Sequence, residues 1–377
     1  MRHLVTTRTL AKAAGVSQTT VSFVLNDRRD IAIPEATRQR VLAAAEQLGW
    51  RPNHMLSALS TGRTRLIGLW SSVLDEPYHT SVFHRLEALL RADGYAVLIS
   101  PARQQGGYHE FDLGMFAKWS VDGLIALDAP KHAVRFLKGH PEWQVPTLCL
   151  DSFERARSTA ADEVYVNVLP AVREALDYLL KTGHRHIAHL GGGWNKSNPR
   201  TREYGRFMAQ AGLPETIIPV VLIPGERHRQ TACLALKNYL ATHACPDALF
   251  CDSDETALGA YRALCETGHR VPDDVSLFGI DGIIDTQYLE TPLTTVPQPI
   301  PEMCAAAWRL LKERMAHPEL PPRLETLTAN LEIRASFRER AIPPPPAPSG
   351  RRRVTRRCAC PSQCPDNATP NERTPTP

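Results

Sequence analysis

The 377-residue sequence has no run of about 18 uninterrupted apolar residues, so nothing in it supplies a membrane-spanning helix. Its opening, Met1-Arg2-His3-Leu4-Val5-Thr6, passes into a polar amphipathic stretch without the apolar segment and cleavage site of a secretory signal. A cytoplasmic chain with no membrane partner is the expectation. Cysteine is thin as well: nine residues, of which Cys149, Cys233, Cys245, Cys251, Cys265 and Cys304 stand singly in apolar segments. That usage predicts reduced, buried thiols and excludes a small disulfide-stapled scaffold. Cys358, Cys360 and Cys364 form C-x-C-x3-C with no histidine nearby, too few ligands for a tetrahedral metal site. G-x-S-x-G, H-E-x-x-H and Walker sequences are missing. Gly191-Gly192-Gly193 follows an apolar run, but Lys196 stands where the third glycine of a dinucleotide fingerprint belongs. Neither a cofactor, a metal nor an enzymatic reaction is expected.

What is present is enough apolar residue, 43%, for two or three domains of about 100–200 residues each. The net charge of +4 conceals a division. Residues 1–65 hold ten Lys or Arg against four Asp or Glu, residues 341–377 six against two, and the stretch between 28 against 34. A basic head on an acidic body implies that the head alone meets a polyanion. The tail after Arg340, with Pro343-Pro344-Pro345-Pro346 and Arg351-Arg352-Arg353, buries too little apolar surface to order itself and reads as disordered. It carries no heptad pattern for a tetramerising coil.

In the head, Thr6 can cap a helix whose apolar residues Leu10, Ala11 and Ala14 share one face, and Gly15 can end it. Ser17 can cap a second helix that buries Val21, Val24 and Leu25 and leaves Gln18, Thr19, Ser22 and Phe23 outside. Two short helices joined by a glycine-containing turn predict a helix-turn-helix, whose second helix enters the DNA major groove. A third helix over 38–48, opening near Pro34 and stopped by Gly49, is expected to face inward with Val41, Leu42, Ala45 and Leu48. Beyond it, Asn53 can cap a helix of one or two turns that Gly62 ends. A helix this short forms only when something packs on it.

The body alternates β-rich runs with amphipathic segments. Strands are predicted over 66–70, 95–99, 123–127, 147–150, 186–190, 220–223, 248–251 and 275–280, and helices over 82–92, 171–181 and 255–266. The alternation argues for βαβ crossovers and two parallel sheets.

These patterns resemble the lactose-repressor (LacI/GalR) family of bacterial transcription regulators. In the head the resemblance is carried by Leu10-Ala11-Lys12-Ala13-Ala14-Gly15-Val16-Ser17, Thr20-Val21-Ser22, Val24-Leu25-Asn26, Thr37-Arg38-Gln39-Arg40-Val41 and Arg51-Pro52-Asn53. In the body it is carried by Leu66-Ile67-Gly68-Leu69, Val121-Asp122-Gly123-Leu124-Ile125, Gly183-His184-Arg185-His186-Ile187-Ala188 and Asp254-Glu255-Thr256-Ala257-Leu258-Gly259-Ala260. Val271-Pro272-Asp273-Asp274-Val275-Ser276 and Pro292-Leu293-Thr294-Thr295-Val296-Pro297-Gln298-Pro299 complete it.

The resemblance implies an N-terminal all-α helix-turn-helix domain over 1–50, a hinge helix and linker over 51–64, and the tail over 341–377. Between them, residues 65–340 would form an α/β two-lobed periplasmic-binding-protein-like effector and dimerisation domain with parallel sheets, its lobes joined by three crossovers. It implies a DNA-binding surface of Thr6, Ser17, Gln18, Thr19, Ser22, Phe23, Asn26, Asn53 and Leu59. Gln18 and Thr19 would reach base edges, while Leu59 would pry open a base step from the minor groove, exchanging unstacking cost for a bent duplex with more contact. Phe23 stands where the family often has Arg or His, and a phenyl ring touches a thymine methyl but cannot bond to guanine. By position the effector would meet Ser72, Asp151, Arg202, Ser253, Asp281 and Gln298, with Arg202 and Asp281 clamping hydroxyls and Trp70 or Trp194 stacking on an apolar face. His184 reads as a carbonyl cap at a helix end rather than a metal ligand.

The implied activity is sequence-specific repression controlled by a small polar effector, foremost a sugar or sugar derivative with purine, sugar phosphate and sugar acid also open, and with double-stranded operator DNA and a second copy of the chain as partners. Two rival readings, a transport binding protein and an α/β enzyme, share the body's fold but do not account for the head.

Overall fold

In a computed structural model, the structure describes residues 5–25, 28–50, 62–71, 76–101, 103–105, 108–110, 116, 120–128, 130–151, 155, 160–192, 198–221 and 227–339. Asn26, most of the hinge with Asn53 and Leu59, Ser72, Trp194 and the tail lie outside them.

The head is three helices, α1 (Thr7–Ala14), α2 (Gln18–Leu25) and α3 (Glu35–Gln47). The Thr6 side chain accepts from the Thr9 amide and the Ser17 hydroxyl from the Thr20 amide at 3.0 Å, so both capping expectations hold. Gly15 ends α1 at φ 64°, a left-handed value that costs a residue with a Cβ. Leu10, Val21 and Val41 are fully buried in one small core with Ala11, Ala14, Val24, Ala44 and Ala45. Each large member contributes about 1.5–3 kcal/mol by leaving water. The expected inner face of α3 needs correction, because Leu42 is 43% and Leu48 40% exposed. Arg38 takes the inward place: its stem is buried and its guanidinium donates to Arg28 O at 3.2 Å. Leu42 lies about 40° beyond Arg38 on the helical wheel, outside the buried arc, and Leu48 is already the capping residue past the last turn.

The body follows in chain order: β1 (Leu66–Ser71), α4 (Pro77–Ala92), β2 (Ala96–Pro101), the hairpin β3 (Arg103–Gln105) and β4 (Tyr108–Glu110), β5 (Gly123–Leu127), α5 (Pro130–Gly139), β6 (Thr147–Asp151) and β7 (Asp162–Asn167). Next come α6 (Leu169–Lys181), β8 (Ile187–Gly191), α7 (Pro199–Ala211), β9 (Ile217–Pro219), α8 (His228–Leu240), β10 (Ala248–Cys251), α9 (Asp254–Glu266), β11 (Ser276–Phe278), α10 (Ile300–Ala316) and β12 (Leu324–Thr328). The strands form two parallel sheets, ordered β12-β7-β6-β5-β1-β2 and β11-β10-β8-β9, each the centre of one lobe. Such sheets carry continuous apolar runs because helices cover both faces, and every residue of β5, β8 and β10 is buried.

The chain passes between the lobes three times. It leaves the first sheet after β7, returns to it from β11 through α10, and crosses back after β12, where Glu332 bridges Thr295 and the Leu277 amide donates to Ser336 O. The strand expected over 220–223 sits earlier, at Ile217–Pro219, in register with His189–Gly191. No helix among the described residues is long and apolar enough to cross a membrane.

Candidate functional site

On the head, Gln18 and Thr19 are exposed at the start of α2, while Ser22 and Phe23 are half-buried one turn on. The Arg28 guanidinium lies 6.0 Å from the Phe23 ring centroid and grips Asp30 through Nε at 2.7 Å and Nη2 at 2.5 Å. The hydroxyls of Thr6 and Ser17 cap their own helix ends by accepting from the Thr9 and Thr20 amides.

In the body, polar side chains converge where the strands of both sheets end. In open α/β sheets that is where ligands bind, outside the carboxyl ends of the strands. From the first lobe come Tyr78 and His79, in the first turn of the helix after β1, and Asp128, directly after β5. Asp128 is held at φ 50°, a value non-glycine residues seldom adopt. His79 Nε2 lies 2.6 Å from Asp128 Oδ2, whereas the buried Asp128 Oδ1 has no hydrogen-bond partner among the described residues.

From the second lobe come Asp281, after β11, and Arg200, in the first turn of α7. Asp281 is buried and stands at φ 118°, a strained conformation that the surrounding bonds maintain: its amide donates to Val296 O at 3.0 Å. Gln298, on the second crossover, joins the lobes. Tyr78 Oη donates to its Oε1 at 3.0 Å, and its Nε2 donates to Asp281 Oδ1 at 2.8 Å. Burial pushes the Asp281 carboxyl up to about 6, against the pull of Arg200, Gln298 and His79. Burial, together with the neighbouring Asp281 charge, also raises Asp254, which accepts from Thr295 and the Gly282 and Ile283 amides.

Arg200 is wholly buried, and its Nη1 donates to the backbone carbonyl of Asp252. The Asp252 carboxylate accepts from the Gly192 amide at 2.7 Å and lies 3.2 Å from His189 Nε2. Burial would raise this carboxyl, but His189 and the Gly192 amide outweigh it and hold Asp252 below the usual range. The carboxylate fits only because residue 191 is glycine: a Cβ there would come within 2.1 Å of Asp252 Oδ2. His189 itself lies stacked on Phe250, ring centroids 4.7 Å apart, with Nε2 3.1 Å from Thr201 Oγ1.

With this geometry the comparisons with known proteins agree. The model of bacterial regulatory proteins of the lacI family matches residues 7–53, and that of the periplasmic binding protein-like domain residues 176–337. The HTH-type transcriptional repressor PurR of Erwinia tasmaniensis is 30% identical over 316 residues, 83% of this chain and 91% of its own. The chain belongs to the LacI family. It is a DNA-binding transcription regulator of that family, with a helix-turn-helix head and a two-lobed periplasmic-binding-protein-like body. The fold matches a crystal structure of the lac repressor dimer bound to operator and the anti-inducer ONPF, with a TM-score of 0.73 at 23% identity, over 88% of this chain and 99% of that one. A transcriptional regulator CelR–cellobiose complex matches with a TM-score of 0.60 at 25% identity, over 88% and 100%.

Within this LacI-family frame the expected effector residues divide. Asp281 and Gln298 meet in the cleft. Asp151 ends β6, its backbone opposite Tyr165. Arg202 does not join them. It is exposed, and Arg200 occupies the cleft instead, because two residues along a helix turn a side chain by about 200° and the first turn of α7 presents Arg200 inward. The Ser253 hydroxyl is engaged as the cap of α9, accepting from the Thr256 amide at 3.2 Å. Trp70 is sheet core, 1% exposed and edge-on to Phe136, so it offers no stacking face to the cleft. His184 does cap a helix end, with Nδ1 3.0 Å from Leu179 O and Nε2 2.9 Å from Ser276 Oγ. Sequence reasoning missed Tyr78, His79, Asp128, Arg200 and Asp252. Their shared signal is position: Asp128 and Asp252 directly follow a parallel strand, and Tyr78, His79 and Arg200 lie in the first turn of the helix that comes after one.

Proposed function

We propose that this chain is a repressor whose operator affinity is set by a neutral, hydroxyl-bearing ligand, a sugar or sugar derivative, held between the lobes. The observation that carries the reading is a cleft in which buried carboxylates and donors stand together with hydrogen-bonding capacity unfilled. Asp128, Asp252 and Asp281 share the site with the buried Arg200 guanidinium and with His79 and His189, and among the described residues Asp128 Oδ1 has no hydrogen-bond partner. A ligand rich in hydroxyl donors satisfies such a site; a phosphate or carboxylate would add charge to it. Asp281 and Gln298 would accept and donate to the ligand, Arg200 would donate, and Asp151 and Ser72 would complete the wall. The cellobiose complex of CelR supports a saccharide.

On the head, Gln18 and Thr19 would read base edges and Phe23 a thymine methyl, while Thr6, Ser17, Ser22 and Asn26 fix the backbone. Asn53 would cap the hinge helix and Leu59 would be its wedge. Residues 1–50, 51–64, 65–340 and 341–377 would then be reading head, hinge, sensor and tail. A cytoplasmic homodimer suits this design. Tyr288, 82% exposed, and Ile284, 59% exposed, belong to the second lobe, where a second copy could cover them. A ligand acts only through its different affinity for two lobe arrangements, and DNA must change ligand affinity in return.

The test is a thermal-shift screen with ribose, cellobiose, lactose, glucose 6-phosphate and hypoxanthine, followed by gel shifts on DNA upstream of neighbouring genes at several salt concentrations. A neutral saccharide should raise the melting temperature and change a steeply salt-dependent operator shift. Stabilisation by glucose 6-phosphate alone or hypoxanthine alone refutes the ligand class, and salt-insensitive, sequence-indifferent DNA binding refutes the repressor.

A further inference from the structure

We infer that Glu76 and His228 form an interlobe latch that positions the two lobes around the effector cleft. The inference rests on reading that cleft as the effector site. Glu76 immediately precedes α4 of the first lobe, and His228 is the first residue of α8, which packs Ala232 and Leu236 into the core of the second lobe. The Glu76 carboxylate does not cap its own helix. It reaches across the cleft mouth to His228 Nδ1, with side-chain exposures of 17% for the glutamate and 29% for the histidine.

The charges around the pair are arranged in its favour. On the side of α4, His79 Nδ1 lies 3.8 Å from Glu76 while its Nε2 engages Asp128. On the side of α8, Arg229 is occupied by Glu255 and Asp285 and does not compete for Glu76. The carboxylate also sits at the N-termini of two helices, one from each lobe, where the ends of both macrodipoles favour negative charge.

A second interlobe connection starts from the same helical turn. Tyr78, two residues after Glu76, reaches Asp281 through Gln298 at the cleft floor. Rotation of the lobes strains both connections. A ligand's hydroxyls can replace the bonds at the floor, but the contact at the rim has no such substitute. The rim pair therefore biases the ligand-free protein toward this lobe arrangement, and its loss shifts that equilibrium before any effector is added.

Hydrogen exchange by mass spectrometry on the full-length protein, with neither DNA nor small molecule added, tests the latch. Glu76→Gln and His228→Glu should each speed exchange at the cleft floor, in peptides covering 279–283 and 295–299, by about two- to five-fold. The reversed pair, Glu76→His with His228→Glu, should restore the wild-type rates. Faster exchange confined to the first turns of α4 and α8, or a reversed pair that behaves like His228→Glu, overturns the latch. Because no operator or effector enters this measurement, its failure leaves the gel-shift test of the repressor reading untouched.

Discussion

Gln298 Nε2 donates to Asp281 Oδ1 at 2.8 Å while its own Oε1 accepts from Tyr78, so one amide satisfies a first-lobe phenol and a second-lobe carboxylate at once. The amide suits this place because it both donates and accepts, and no other neutral side chain spans the gap with both functions in a planar group. Gln298→Ala should take this amide from both buried partners and cost about 1–3 kcal/mol of stability, measured by urea unfolding. Gln298→Glu should cost at least as much above neutral pH, by setting a second carboxylate against Asp281.

The raised Asp281 carboxyl makes stability depend on pH in a direction opposite to that of most carboxylates. Between its ordinary unfolded range near 4 and about 6, the folded protein holds a proton that the unfolded chain has lost. Stability from this group is therefore full at the lower end and declines as pH rises through 6. Asp281→Asn should remove a decline of order 1–3 kcal/mol from the difference between unfolding free energies at about pH 4.5 and 7. Parallel wild-type and variant profiles would contradict the assignment.

Gly191→Ala should displace Asp252, because the added methyl has to occupy the place of the carboxylate. Overpacking of this kind costs about 1–3 kcal/mol. Since Asp252 O holds Arg200, the variant should also weaken the thermal shift produced by whichever saccharide stabilises the wild type, while leaving ligand-free operator binding unchanged in a gel shift.

Arg200→Gln and Arg202→Gln separate two arginines that stand two residues apart. The first should abolish effector-dependent operator release and spare ligand-free DNA binding. The second, on the solvent side of α7, should behave as wild type in both assays. Reversed results would return the cleft arginine to position 202.

Leu59→Ala should weaken operator binding about tenfold or more without altering saccharide affinity, the signature of a wedge that bends the duplex rather than reads it. Gln18→Ala should instead cost about 1–3 kcal/mol and relax preference at one base position, scored by gel shifts on single-base operator variants.

Much of this architecture was legible before any coordinates. Leu10, Ala11 and Ala14 fall on one helical face, Gly15 supplies a left-handed stop, and Ser17 supplies the next cap, all within a few residues of one another. Apolar runs such as 123–127 and 248–251 announce parallel strands because both of their faces are covered. β7 and β12 gave no such signal. β7 opens with Asp162 and Glu163, residues that read as loop, and β12 alternates exposed and half-buried positions at a sheet edge. Asp162 is tolerated in the sheet because Arg314 and Arg323, from distant parts of the chain, bond to it and outweigh the cost of burying it.

The sequence by itself determined the helix-turn-helix, the alternation of apolar strands with amphipathic helices in the body and the family, because those depend on local caps, periodicities and short motifs whose parts are neighbours in the chain. Only the tertiary structure decided which arginine of α7 faces the cleft, that Ser253 is engaged as a cap, and that Glu76 meets His228 across the lobes. Helix phase and contacts between residues 152 positions apart are settled by packing, and packing depends on every element at once.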